Sequence, residues 1–295
     1  MSAQPWRVVI VTRIPPVALG LYAAIKEAGH EPVALLSVRD PTRRYGPFDL
    51  NDLLDTVPAE LDVLLPASRA TLAEVLAAAR PDLVVCTGFP WKVTPEALAV
   101  PRLGWINGHP SLLPRHRGPV PVAWAIRAGE QEIGVTFHRM DADLDTGPIL
   151  AQRAMALGEP CEPEELYGRL GPLHIAAFAE SLEKLAAGDP GEPQDADGDY
   201  ESFFADGDAD LDLARPAVEA HRMIWAWRYT IPKDTRRGAL LELDGELVRV
   251  LASSLTEVEG APRVQFADGP LWLVRTEPAT QDVAGAGAGS TGVSS

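Results

Sequence analysis

The sequence has little that would place the protein in a membrane or outside the cell. Only two of its 295 residues are cysteines, Cys86 and Cys161, and a distant pair without metal-binding spacing predicts reduced thiols. No apolar run approaches the roughly 18–20 residues that a membrane-spanning helix needs. The N-terminus lacks the basic start, long apolar segment and small-residue cleavage site of a secretory signal. We therefore expect a cytoplasmic protein.

Positive charge is also scarce. The chain carries 26 Lys and Arg against 42 Asp and Glu, which gives a formal charge of −16. Large nucleic-acid-binding surfaces need clustered Lys and Arg, so this balance disfavours them. The densest basic cluster, Arg39, Arg43 and Arg44, is interpreted as a solvated loop.

The motifs of nucleotide-binding proteins are missing as well. The turn after the first predicted strand, residues 12–16, reads TRIPP and contains neither GxGxxG nor GxxxxGKS/T. Its two prolines have no backbone N–H to donate to a phosphate. A dinucleotide or P-loop site is therefore disfavoured.

Apolar segments that alternate between strand and helix patterns are present. Residues 6–12 predict a strand, residues 18–28 a helix and residues 32–38 a second strand, an order that indicates an α/β fold with a mostly parallel sheet. Residues 83–87 (LVVCT) are the best candidate for a central strand. Residues 39–60, which contain three prolines and a glycine, predict a loop.

The composition changes towards the C-terminus. Residues 188–214 are rich in Asp, Gly and Pro and predict a linker or strap between a large domain, residues 1–187, and a small helix-plus-β-rich domain, residues 215–277. Asp244-Gly245 predicts a hairpin turn in the small domain. Residues 278–295 are of low complexity and predict a disordered tail.

Polar residues concentrate on turns between residues 104 and 150. Asn107 and His109 follow an apolar strand at i and i+2, and Asp145 lies in a turn after the next strand. Amide and imidazole donors stabilise the oxyanion of acyl transfer by about 2.7–4 kcal/mol each, and a carboxylate orients the imidazole. The same residue types also make ordinary turns and caps, and that alternative stays open.

Neighbouring polar residues are interpreted as structural. Arg115, His116 and Arg117 are predicted at the surface. His138 is predicted as a packed strand residue, with a place in the cleft as the alternative. No GxSxG motif or suitably placed cysteine indicates a covalent acyl-enzyme.

Three motifs resemble those of the formyltransferase family. They are NGHPSLLP at residues 107–114, RG at residues 117–118 and MDADLDTG at residues 140–147. The resemblance covers roughly residues 5–187 and continues weakly after residue 210. It implies a Rossmann-like formyltransferase catalytic domain with a mostly parallel sheet, a small β-rich C-terminal domain and 10-formyltetrahydrofolate as the formyl donor.

The resemblance also implies roles for individual residues. Asn107 and His109 would stabilise the formyl oxyanion in a tetrahedral intermediate, and Asp145 would assist His109 and proton transfer. Folate would contact two loops through Phe89, Pro90, Trp91, Met140, Asp141, Asp143 and Leu144. No metal ion is implied.

The sequence says less about the amine that receives the formyl group. Arg13 is predicted to pair with an anionic group of the acceptor, with a solvent-facing side chain as the equal alternative. The charge of −16 and a second domain without clear basic character favour a primary amine on a small molecule over methionyl-tRNA. A 10-formyltetrahydrofolate hydrolase is a further alternative, although the family's hydrolases carry a regulatory domain before the first strand. A non-catalytic folate-binding protein is the last alternative.

Overall fold

The computed structural model describes residues 4–39, 50–195, 198, 200–230 and 238–279. These residues fall into two compact units. The first lies within Met1–Ala205 and Trp225–Lys233, and the second within Asp206–Ile224 and Asp234–Ser295. The first unit thus extends beyond residue 187, where the large domain was predicted to end.

Seven strands form the sheet of the first unit, in the order β3-β2-β1-β4-β5-β6-β7. They are β1 (Arg7–Thr12), β2 (Glu31–Leu36), β3 (Asp62–Leu64), β4 (Leu83–Thr87), β5 (Trp105–His109), β6 (Glu132–Arg139) and β7 (Ile149–Ala156). Strands β1 to β5 pair in parallel, whereas β6 pairs antiparallel with β5 and β7. The predicted α/β fold with a mostly parallel sheet is confirmed, and β4 is its central strand.

Helices cover both faces of this sheet. The α-helices in the described part of the chain are α1 (Pro15–Glu27), α2 (Leu50–Thr56), α3 (Leu72–Ala79), α4 (Pro95–Leu98), α5 (Pro121–Ala128), α6 (Pro163–Ala186) and α7 (Ala217–Trp227). On one face α1 and α6 pack together and against the strands. On the other face α3 and α4 enclose alternate residues of β4, Val84 and Cys86, in an apolar core. Burial on both faces explains why β1 and β4 carry continuous apolar runs.

The segment predicted as a loop, residues 39–60, contains a helix. Leu50, Leu53 and Leu54 recur at helical spacing in α2, and Leu53 is fully buried, so the apolar pattern outweighed the prolines around it. Residues 40–49, which include Arg43 and Arg44, lie outside the described residues.

The second unit contains an antiparallel sheet in the order β10-β11-β9-β8. Its strands are β8 (Ala239–Leu243), β9 (Glu246–Ser254), β10 (Arg263–Gln265) and β11 (Pro270–Pro278). Asp244 and Gly245 connect β8 to β9 with φ values of 52° and 83°, the left-handed pair of a two-residue hairpin turn, so that prediction is confirmed. The small β-rich region is confirmed too. Strand β11 ends at Pro278, and residues 280–295 of the predicted tail lie outside the described residues.

Candidate functional site

The candidate site lies at the carboxyl end of β5. Asn107 and His109 are two residues apart in this strand and therefore project from the same face of the sheet. Gly108 lies between them, and a Cβ atom there would come within 2.5 Å of His174 and 2.7 Å of Phe137. Strand β5 packs so closely against the residues behind it that only glycine fits at this position.

Asp145 reaches this pair from the loop between β6 and β7. Its Oδ1 lies 3.3 Å from Asn107 Nδ2 and 3.7 Å from His109 Nδ1. Its Oδ2 accepts a hydrogen bond of 3.0 Å from the Gly118 N–H. The structure thus brings together the three residues predicted to be catalytic, while their catalytic roles stay predictions.

A backbone carbonyl fixes the ring of His109. Nε2 lies 2.9 Å from the carbonyl oxygen of His116, and because a carbonyl only accepts, this nitrogen carries a hydrogen and donates it. Nδ1 is left to face Asp145. The His109 residue is only 4% exposed, so bulk water has little access to the ring.

His138 is a fourth member of the cluster. It lies opposite Asn107 in the ladder between β5 and β6. Its Nδ1 donates to the carbonyl of Arg139 at 2.8 Å, and its Nε2 lies 3.2 Å from Asn107 Nδ2 and 3.5 Å from Asp145 Oδ1. His138 is therefore both a buried strand residue and part of the site. The missing signal was the pairing register, which the sequence alone does not give.

Burial and hydrogen bonds set the ionisation of the cluster. Burial alone would raise the pKa of Asp145, but the charge of a protonated His109, the nearby ring of His138 and a hydrogen bond from the Gly118 N–H outweigh it and lower this pKa to about 2. Burial lowers the pKa of His109, and Asp145 only partly opposes this shift. At neutral pH Asp145 is therefore a carboxylate and His109 is a neutral ring that can accept a proton.

A buried polar network supports the loop that follows β5. Thr136 Oγ1 donates to the carbonyl of Ser111 at 2.7 Å and accepts from the N–H of Leu113 at 3.2 Å. The amide of Gln152 donates to Thr136 Oγ1 at 2.8 Å and to the carbonyl of Leu113 at 3.0 Å. The loop conformation is thus fixed by β6 and β7.

Two residues predicted at the surface are covered instead. Arg117 is 6% exposed, and His116 Nδ1 lies 2.8 Å from Glu201 Oε2. Arg117 is buried and His116 is half-buried because Gln194, Asp195, Gly198 and Glu201 contact them. Local sequence patterns do not reveal contacts across about 80 positions. Arg115 does lie at the surface, as predicted.

The residues predicted to contact folate lie in two loops. Phe89, Pro90 and Trp91 follow β4, and Met140, Asp141, Asp143 and Leu144 follow β6. The loops approach each other where Lys92 Nζ lies 3.6 Å from Asp143 Oδ1. Folate binding by these residues stays a prediction.

The side chains of these loops differ in what they offer a ligand. The rings of Phe89 and Trp91 meet edge to face with centroids 5.5 Å apart, and Leu144 is exposed. The carboxylate of Asp141 instead accepts hydrogen bonds from the Thr146 hydroxyl at 2.8 Å and the Asp143 N–H at 3.1 Å. Asp141 therefore shapes its own loop.

Arg13 lies directly after β1. Thr12 pairs with Thr87 in the ladder between β1 and β4, so Arg13 and the turn after β4 share the edge of the sheet that carries the site. Arg13 is half-buried there, and its contact with an acceptor stays a prediction.

Metal-binding clusters and membrane-spanning helices are both missing from the part of the chain that the structure describes. Within those ranges no group of three or more His, Cys, Asp or Glu could hold a metal ion. None of the helices there combines the length and apolar character required to cross a bilayer.

Sequence comparisons point to one family. The family model described as "Formyl transferase" matches residues 62–182. A methionyl-tRNA formyltransferase of Pseudomonas fluorescens strain SBW25 is 34% identical over 266 residues, which cover 88% of this chain and 81% of that relative. One of Pseudomonas putida strain W619 is 40% identical over 190 residues, which cover 63% of this chain but only 59% of the relative.

Solved structures share the fold. HypX from Aquifex aeolicus, in complex with tetrahydrofolic acid, superposes with a TM-score of 0.63 at 18% identity, covering 93% of this chain and 44% of that one. A sugar N-formyltransferase from a Shewanella species has a TM-score of 0.63 at 18% identity, covering 85% of this chain and 99% of that one. The predicted Rossmann-like formyltransferase fold is thereby confirmed.

Proposed function

Because this chain belongs to the formyltransferase family, we propose that it transfers a formyl group from 10-formyltetrahydrofolate to a primary amine of a small molecule. The observation that carries the proposal is the convergence of Asn107 and His109 on the carboxylate of Asp145, at 3.3 and 3.7 Å. Formyl transfer to an amine needs an oxyanion donor and a group that moves protons, and this cluster offers both.

His109 is the proton acceptor in this proposal. The nitrogen of the acceptor bonds to the formyl carbon and gives up a proton to the neutral Nδ1. The ionised Asp145 beside it stabilises the resulting imidazolium. The proton then passes to the folate nitrogen as the bond between that nitrogen and the formyl carbon breaks, so that His109 returns to its neutral state.

Asn107 is the oxyanion donor. The hydrogens on its Nδ2 face Asp145 Oδ1 and His138 Nε2 before substrate binds. Donation to the tetrahedral intermediate replaces one of these partners. Because an oxyanion accepts more strongly than a neutral ring nitrogen, an exchange with His138 favours the transition state over the ground state.

The residues of the two loops fit the proposed folate donor. The rings of Phe89 and Trp91 and the exposed Leu144 supply apolar surface, and the loop backbones supply polar groups, the combination typical of sites for heterocyclic ligands. A structural neighbour of this fold was solved with tetrahydrofolic acid, which supports the same donor class. We also propose that Pro90, Met140, Asp141 and Asp143 contact the folate donor.

Two acceptors are considered, methionyl-tRNA and a small-molecule amine. Methionyl-tRNA is favoured by the names of the sequence relatives. Against it, residues 206–224 and 238–279 contain twelve Asp and Glu but five Arg and no Lys, a surplus of negative charge that repels a polyanion. A small-molecule amine is therefore our proposed acceptor, and Arg13 our candidate for holding an anionic group on it.

One experiment separates these functions. The protein is incubated with 10-formyltetrahydrofolate and a panel of amino sugars, other amines and methionyl-tRNA, and products are followed by formyl mass gain and by formate release. Formylation of a small amine supports the proposal. Formylation of methionyl-tRNA alone replaces the proposed acceptor, catalytic formate release without an amine indicates a hydrolase, and no turnover at all contradicts enzymatic function.

The role of His109 is tested directly. His109→Ala removes the proton acceptor, and we expect kcat to fall by about 10²–10⁴-fold. His30→Ala is the matched control, because His30 stacks on Trp6 beside the start of β2 and should leave kcat within a few-fold of wild type. Full activity in His109→Ala would refute the mechanism.

A further inference from the structure

Residues 192–195, 198 and 200–202, named here the strap, belong to the first unit. The strap begins with a pair of backbone hydrogen bonds between Glu192 and Ile149, both 2.8 Å long, at the start of β7. It ends with a hydrogen bond of 2.8 Å from the Glu201 N–H to the carbonyl of Arg117. The strap therefore connects the chain after Asp145 with the loop after His109.

Gln194 lies at the centre of the strap. Its Nε2 donates to the carbonyl oxygens of Asp145 at 2.9 Å and Gly147 at 2.7 Å. Its Oε1 accepts from the guanidinium of Arg117, from Nε at 3.2 Å and Nη2 at 2.9 Å. All hydrogen-bonding positions of one side-chain amide thus link the two loops that form the site.

Arg117 fixes the other side of this link. Its Nη1 donates to the carbonyl of Gly198 at 2.8 Å, and its Nη2 also donates to the carbonyl of Asp195 at 3.0 Å. The next residue, Gly118, has φ of 125°, and a Cβ atom there would lie 2.0 Å from the Glu201 carbonyl oxygen. The strap and this loop are therefore packed backbone to backbone.

Asp145 depends on this support more than an ordinary loop residue would. Its φ of 59° lies in the left-handed region, which few non-glycine residues adopt and where contacts with the surroundings help to hold them. Gln194 binds the carbonyl of this residue, while Gly118 binds its carboxylate. The backbone carbonyl of Asp145 is thus held by Gln194, which contacts Arg117, and its carboxylate by Gly118, which follows Arg117 in the chain.

We propose that Gln194, held by Arg117, is a positioning residue that fixes the Asp145 turn so that its carboxylate faces His109 and Asn107. The proposal rests on the proposed formyl transfer, because it assigns Asp145 a part in that reaction. Gln194 itself touches no reacting atom. Its effect is expected in kcat, since a displacement of about 1 Å at a catalytic group lowers rates by about 100-fold.

The principal variant is Gln194→Met, which keeps the length of the side chain but can neither donate to the turn nor accept from Arg117. We expect kcat to fall by about 10–100-fold, with less than a few-fold change in KM for donor and acceptor. Gln131→Met is the matched control, because Gln131 also donates to a backbone carbonyl, that of Gly129 at 3.1 Å, but lies outside the site. It should retain wild-type kcat.

A second variant separates the two halves of the amide. Gln194→Glu still accepts from Arg117 but has no hydrogen to donate to the carbonyls of Asp145 and Gly147. We expect its kcat to fall at least as far as that of Gln194→Met. Wild-type kcat in Gln194→Glu would overturn the proposal, because the donated hydrogen bonds would then be dispensable.

An activity-independent measurement distinguishes failure of the positioning from failure of the function. The titration of the His109 ring is followed by NMR in wild type and Gln194→Met. Because Asp145 opposes the lowering of the His109 pKa, a displaced Asp145 should move this pKa further down. An unchanged titration would overturn the positioning role. A shifted titration in a protein without formyl transfer would support it while refuting the proposed function.

Discussion

Replacement of Gly108 by alanine tests how closely the site depends on the packing behind it. The new Cβ atom would lie 2.5 Å from His174 Cε1, 2.7 Å from Phe137 Cζ and 2.8 Å from Thr87 Oγ1. Optimal carbon–carbon contacts are about 3.5–4.0 Å, so the new atom is about 1 Å too close to two carbons, and its contact with the Thr87 oxygen is short as well. All three neighbours are buried and cannot simply swing into solvent.

The strain has two expected consequences. Overpacking of this kind costs about 1–3 kcal/mol, which lowers the melting temperature by several degrees in a protein of this size. Any movement of β5 that relieves it also displaces Asn107 and His109, and a shift of about 1 Å lowers kcat/KM by about 100-fold. We therefore expect Gly108→Ala to lose activity out of proportion to its loss of stability.

The assay combines thermal unfolding with formyl-transfer kinetics. Gly168→Ala is the control, because Gly168 lies in α6 and a Cβ atom added there would have nothing within 4 Å, so alanine should stabilise the helix by up to about 1 kcal/mol. In a Gly108→Ala/His174→Ala double variant the closest contact is gone, and part of the lost kcat/KM should return. A Gly108→Ala variant with wild-type melting and kinetics would refute the reasoning.

Two further predictions concern charge. Burial lowers the pKa of His174 from 6.5 to about 4, so the stability that its neutral form contributes is complete above pH 6.5 and is lost as the pH falls towards 4, about 3 kcal/mol in total. The free energy of unfolding measured in urea across this range should therefore depend less on pH in His174→Gln than in wild type, and equal dependence would contradict the assignment. Asp145→Asn removes the carboxylate that keeps the His109 pKa from falling further, so the acidic limb of its kcat/KM–pH profile should move to lower pH. A move to higher pH would argue against an interaction between Asp145 and His109.

Much of the first unit follows from local patterns in the sequence. The apolar runs that became β1, β2 and β4 are buried by helices on both faces, so their character depends little on distant details. The hairpin at Asp244-Gly245 follows from the backbone freedom that its turn demands. The motif that contains Asn107 and His109 likewise lies on one short strand, where the spacing alone determines that both residues share a face.

What the sequence could not supply depends on register and on distant contacts. His138 joins the site only because β6 pairs antiparallel with β5 so that it lies opposite Asn107. The prediction of Arg117 at the surface was wrong because its partner Gln194 is 77 positions away. In α2, Leu53 is buried by residues distant in the sequence, whereas the prolines around this segment predicted a loop.

The strap also bears on how this site forms during synthesis. A ribosome delivers the chain from the N-terminus, and domains begin to fold as they emerge. All seven strands of the large sheet are complete at Ala156, and Asn107, His109 and Asp145 have by then been made. Gln194 and Glu201, however, follow about 40 residues later. A nascent chain, or a fragment cut at residue 187, therefore has the reactive side chains but lacks the Gln194 hydrogen bonds to the backbone of the Asp145 turn.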